Sequence, residues 1–226
     1  MKSLLALGLL ITTSVLASQA EIDTIESAYI SVNSNVLTEI AKQSDHYIKA
    51  LAYYRLSILH NVHSNKDQAI ATLVSTISEL ESIVASTPGD DESWALLSQS
   101  YGLMISYQPQ LGAEYGQKSF DAAKKAKNIA PNNPRISLFQ GIMSFNTPAI
   151  YGGSKHKAVE LLNNAIELFE YDRNSNNYWG EAEAYVWRGL TYRALNDNEK
   201  ATADFKMALQ LKPNFDWAKM LLKNNS

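Results

Sequence analysis

Cysteine is absent from all 226 residues. Disulfides therefore contribute nothing, thiolate metal sites and thiol nucleophiles are excluded, and no cysteine follows the N-terminal apolar run to carry a bacterial lipid anchor. Histidine is scarce, at four residues. His60 and His63 lie three apart on a helical pattern and share a face, but no third ligand at matching spacing joins them, so packing explains them better than a metal. Net charge is only −3 and the pI is near 5.8. No basic face is visible, so the footprint of a nucleic-acid binder is missing. There is no strand-turn-helix elbow of the G-x-S-x-G kind. The paired carboxylates Asp90-Asp91 and Glu181/Glu183 stand at helix starts, where the helix dipole is reason enough for them. No nucleophile, base and orienting acid can be assembled, so the reading is a non-enzymatic chain with no catalytic residue, cofactor or metal.

The chain opens Met1-Lys2-Ser3, runs apolar from Leu4 to Leu16, and continues Ala17-Ser18-Gln19-Ala20. A basic start, a short apolar run and a small-x-small site describe a secretory signal peptide over 1–20, cleaved after Ala20, with Ala17 as the alternative. The run falls short of the roughly 20 residues that a membrane span needs. The expectation is a periplasmic or secreted protein with no stable membrane insertion after cleavage.

Beyond residue 20 the signal is helical. From Ala182 to Phe215, apolar and small residues recur at helical spacing: Tyr185, Gly189 and Tyr192, then the turn Asn196-Asp197-Asn198, then Ala201, Phe205 and Ala208, closed by Pro213. Two helices of about a dozen residues are the simplest account. One helix pair cannot bury both its faces, so the pair reads as one unit of a stacked array.

The stretch resembles the tetratricopeptide repeat (TPR). Tyr185, Gly189, Tyr192, Ala201, Phe205, Ala208 and Pro213 match that family's pattern in type and spacing, and Leu195 also fits. Arg188 stands where the family usually has Leu. Looser matches precede it: Tyr53, Leu56, Ser57, Ala69, Leu73 and Thr76; then Trp94, Leu97, Ser98, Tyr101, Ala122, Ala123 and Ala126; then Leu138, Gly141, Ile142, Ala158, Leu162 and Ala165. The starts Ala50, Asp91, Pro134 and Ala182 are spaced more widely than the family's period of about 34 residues, with the excess in enlarged turns and helix extensions. The resemblance implies an all-α, antiparallel helix-pair solenoid, a TPR-like right-handed superhelix of about four divergent repeats with flanking capping helices. The approximate units are 46–88, 90–131, 133–172 and 180–213 within a domain over 21–226, with a C-terminal capping helix at 214–224.

Tyr151-Gly152-Gly153-Ser154-Lys155 invites a phosphate-loop reading, but the Walker pattern is absent. A turn with glycines at positive φ, followed by Ser154 capping a helix, accounts for it better. A Pro, a Gly-Gly turn and a Lys-Ala helix in this order are also similar to the helical-repeat subunits that accompany some periplasmic substrate-binding transport systems.

Repeat solenoids bind on the concave surface built by the first helix of each pair. By register, Leu51, Tyr54, Ile58, Gln99, Leu103, Leu138, Ile142, Val186, Leu190 and Arg193 face that way. They are mostly apolar, and suit an amphipathic helix, an extended apolar segment or a small hydrophobic ligand. They would suit a core equally well if the N-terminal segment filled the groove. The leading expectation is an exported scaffold or adaptor that binds a protein or peptide partner in the cell envelope. The alternative is a small-hydrophobic-ligand accessory of a periplasmic transport system.

Overall fold

A computed structural model describes residues 19–173 and 175–224. Of the expected leader, only Gln19 and Ala20 fall inside it. The described residues form eleven α-helices and no strand. A leading pair, α1 (Gln19–Ile30) and α2 (Ser34–Gln43), is followed by four longer pairs. These are α3 (His46–Val62) with α4 (Lys66–Ser86), α5 (Asp91–Tyr107) with α6 (Gly112–Ile129), α7 (Pro134–Asn146) with α8 (Lys155–Asp172), and α9 (Glu181–Ala194) with α10 (Asn198–Leu211). The short α11 (Asp216–Lys223) closes the stack against α10. In the four longer pairs each helix packs mainly on its pair mate and then on a neighbouring pair, the arrangement of a helical solenoid, while α2 packs chiefly on α3.

Local chemistry starts these helices where the sequence places its polar turns. Asn65, Asp90, Ser154 and Asp197 each accept a bond from the backbone N–H three residues on, at 3.3, 3.0, 3.2 and 3.2 Å. Each such bond satisfies one of the four donors that a helix start leaves orphaned. Asn133 does the same for the N–H of Arg135 at 2.9 Å, with Pro134 in the first helical position. Ser64, just before the Asn65 cap of α4, adopts the left-handed conformation with φ 61°.

Packing within the pairs turns on small residues. A Cβ on Gly189 would lie 2.6 Å from Cε1 of Phe205, a contact that only glycine escapes, and Phe205 is fully buried. Gly141 meets Leu162 in the same way, at 2.7 Å. In the second pair Ser98 replaces the glycine, and it and Ser119 each donate to the other's carbonyl at 2.8 Å. Arg188, the residue in the family's leucine place, forms a two-pronged ion pair with Asp204 of α10 (2.8 and 2.6 Å) and donates to Asn163 of α8 at 2.8 Å. A charge clamp thus replaces an apolar contact there. The long apolar α4 buries Ala69, Leu73, Ile77, Leu80 and Val84 between α3 and α5 as part of the stack.

Candidate functional site

The first helices of the pairs, α3, α5, α7 and α9, carry all ten residues assigned to the inner face. Six are buried: Leu51, Leu138 and Val186 at 0% exposure, Tyr54 at 1%, Ile142 at 5% and Gln99 at 8%. Ile58, Leu103, Leu190 and Arg193 are half-buried, and all four lie in the C-terminal halves of their helices. The inner face is therefore sealed at one end and partly open at the other.

Two segments make the seal. Helix α1 packs on α3 and buries Ile22, Ile25 and Tyr29. The link between α8 and α9 contributes Trp179, which is 3% exposed and donates its indole N–H to the Tyr47 hydroxyl at 3.2 Å. The amide of Gln19 fastens these segments to each other, donating to the Tyr178 carbonyl and accepting from the Tyr178 N–H, both at 2.8 Å. Over this end, the N-terminal segment filling its own groove describes the arrangement.

Beneath the seal lies a chain of buried charges. Arg55, fully buried, grips Glu26 of α1 through two bonds (2.8 and 2.9 Å) and Glu183 of α9 through a third (2.9 Å). Its guanidinium lies over the rings of Tyr29 and Trp179, at 4.2 and 4.9 Å from their centres. Arg135, 2% exposed, holds Glu92 at 2.7 and 2.5 Å and Asp172 at 2.7 Å. Burial works against the Arg55 charge, but the carboxylates of Glu183 and Glu26 hold its pKa well above the ordinary value. Burial pushes the carboxyls of Glu26 and Glu92 up, against the pull of Arg55 and Arg135. The hydroxyls of Tyr29, Tyr47 and Tyr54 are raised as well, chiefly by burial.

Glu183 therefore does more than complement a helix dipole, since it answers Arg55, and Glu26, Arg55, Glu92 and Arg135 are charges of the inner face absent from the expected set. A signal was present, since Arg55 is the one charge in the run Ala50 to Leu59, and a lone charge in an apolar stripe demands a partner. Arg135 sits in the first turn of α7, where a cation opposes the dipole unless a carboxylate meets it.

The open end is apolar and aromatic. Half-buried Trp187, one turn before Leu190, stands edge-on to Phe145 at 5.6 Å and to Trp217 at 5.5 Å. The Trp187 indole N–H has no hydrogen-bond partner although it is buried.

Elsewhere, His60 and His63 border an open polar cleft of 560 Å³ with Asn33, Asn35, Asn65 and Gln68. Burial and the neighbouring His63 lower the pKa of His60. No group of three or more metal-ligating side chains occurs among the described residues. In the glycine loop, Gly152 has φ 88° and Ser154 caps α8. Gly153 needs no positive φ, but a Cβ there would overlap the Thr147 carbonyl oxygen at 1.8 Å. Lys155 bends back to donate to the Phe145 carbonyl rather than facing an incoming anion.

Fold and inner face together define a helical-repeat protein whose concave side is half closed by its own N-terminal helix. The model of the tetratricopeptide repeat matches residues 182–215. That match covers one helix pair, α9 with α10, and the pairs before it repeat the same antiparallel fold. The structure is similar to TTC0263, a thermophilic TPR protein of Thermus thermophilus, with a TM-score of 0.60 and 17% identity over 92% of this chain and 97% of that one. It is also similar to the HusA haemophore of Porphyromonas gingivalis, with a TM-score of 0.58 and 21% identity over 78% and 91%. At these identities the likeness is one of fold. No curated protein matches the chain.

Proposed function

We propose that this protein is an exported scaffold that binds a protein or peptide partner along the open end of its inner face. The observation that carries the reading is that the apolar residues Ile58, Leu103, Trp187 and Leu190, on three of the first helices, are only half-buried. The helices beneath are already packed, so little ordering falls on the scaffold. A small hydrophobic ligand finds less support: the cavity between α1 and α9 measures 120 Å³, whereas ligand pockets run about 300–1,000 Å³.

Export rests on the leader pattern in the first 20 residues. Gln19 bears on the cleavage site. Processing after Ala17 keeps its two bonds to Tyr178, and processing after Ala20 removes them.

A photo-crosslinking residue at position 190, compared with one at Glu167, which is exposed on α8, tests the docking face in intact cells. The expected result is a discrete protein adduct from position 190 and none from 167. Equal labelling from both, or none from 190, refutes the assignment.

A further inference from the structure

The turn between α7 and α8 ends in a tip, Ala149–Tyr151, that forms one 3-10 turn. Ile150 and Tyr151 are 84% and 76% exposed, and Ile150 is the most exposed large apolar side chain among the described residues. The base of the turn is stiff. The Ser154 N–H donates to the Ser144 carbonyl at 3.0 Å, the Ser144 hydroxyl donates to the Ser154 carbonyl at 2.9 Å, and Gly153 lies hard against Thr147. From Thr147 to Val159 there is no carboxylate in a chain that is net negative, and Lys155, His156 and Lys157 follow the tip directly. The second helices α4, α6 and α10 have an acidic residue in their first turns, but α8 has none, although cations there oppose the helix dipole. His156 and Lys157 are exposed.

We propose that the Ile150–Tyr151 tip seats in the interfacial layer of an anionic lipid bilayer, with Lys157 at the headgroups. The tip is a protrusion rather than a groove. Tyrosine favours the boundary where one end of the side chain is apolar and the other wet, and nearby lysines add attraction to anionic lipid. Its braced base leaves little conformational freedom to lose on binding. One apolar tip with a basic neighbour gives reversible surface attachment, not a span. This attachment is independent of the partner strip on α3, α5 and α9.

The chain has no cysteine, so Ala149→Cys labelled with an environment-sensitive dye reports on the tip alone. Glu167→Cys is the control, about 18 Å along α8 from Lys155 at 1.5 Å per residue. With vesicles of phosphatidylcholine and phosphatidylglycerol, the tip dye is expected to brighten and shift to the blue while the control stays silent. Ile150→Asp abolishes the response, and Lys157→Gln weakens vesicle affinity about fivefold. Far-UV circular dichroism of each variant verifies the fold. A silent tip dye, equal responses from both dyes, or a full response from Ile150→Asp overturns the proposal. A tip dye that ignores vesicles but shifts with lipid-free envelope proteins also overturns it, assigning the tip to a protein surface instead.

Discussion

Replacing Arg55 by Met tests whether the buried charges, rather than apolar contact alone, hold the N-terminal helix in the groove. Arg55 is fully buried, and its partners Glu26 and Glu183 have side chains only 11% and 8% exposed. Removing the guanidinium leaves two carboxylates facing each other out of water. Breaking a buried pair in this way costs about 3–5 kcal/mol, because the surviving charges are uncompensated. With a urea dependence of about 2 kcal/mol per M for a chain of this size, the unfolding midpoint should fall by about 1.5–2.5 M. The loss should be partly reversed in the triple variant Arg55→Met, Glu26→Gln, Glu183→Gln, since no unpaired charge is then buried. Urea titration followed by circular dichroism supplies the midpoints. Hydrogen exchange in residues 22–29 reports whether α1 detaches before the rest, as the nearest-neighbour energetics of a solenoid allow. A midpoint within about 0.5 M of wild type (about 1 kcal/mol), or a triple variant no more stable than the single one, refutes the reasoning.

Two further outcomes follow from the same packing. Burial raises the native pKa of Glu26 above its ordinary 4.5, so the fold holds that proton more tightly than the unfolded chain does. Its contribution is fully present below that value and is lost as pH rises through the raised one. Wild type should therefore lose stability relative to Glu26→Gln as pH rises from 4.5 toward neutrality in paired urea titrations, and a drift in the opposite sense would contradict the assignment. Gly189→Ala should cost about 1–3 kcal/mol by overpacking against Phe205, read as a lower thermal midpoint; an unchanged midpoint would show that α9 and α10 can separate freely.

Much of the fold was legible because its determinants are local. Asn65, Asp90, Ser154 and Asp197 cap the helices that their polar turns announced, and Asp216 to Lys223 forms a closing helix that buries Ala218 and Leu221 but leaves Met220 51% exposed. Gly189 packs on Phe205, two of the residues that carry the resemblance to the repeat family. The inner face was legible as a set of positions but not as a surface. Leu51, Tyr54, Leu138 and Val186 lie buried on first helices, and periodicity gives the direction of a side chain and not what covers it. The role of Arg188 was likewise hidden, since its partners Asp204 and Asn163 come from two different helices.

The amino-acid sequence alone determined that this is a cysteine-free chain of stacked helix pairs, because capping, period and close-packing glycine act within about 34 residues. Only the tertiary structure decided that the concave side is half shut. Arg55 meets Glu183 across 128 residues, and Gln19 meets Tyr178 across 159. Such meetings depend on the rotation accumulated from one helix pair to the next. That rotation is a sum of small packing angles that no local pattern encodes.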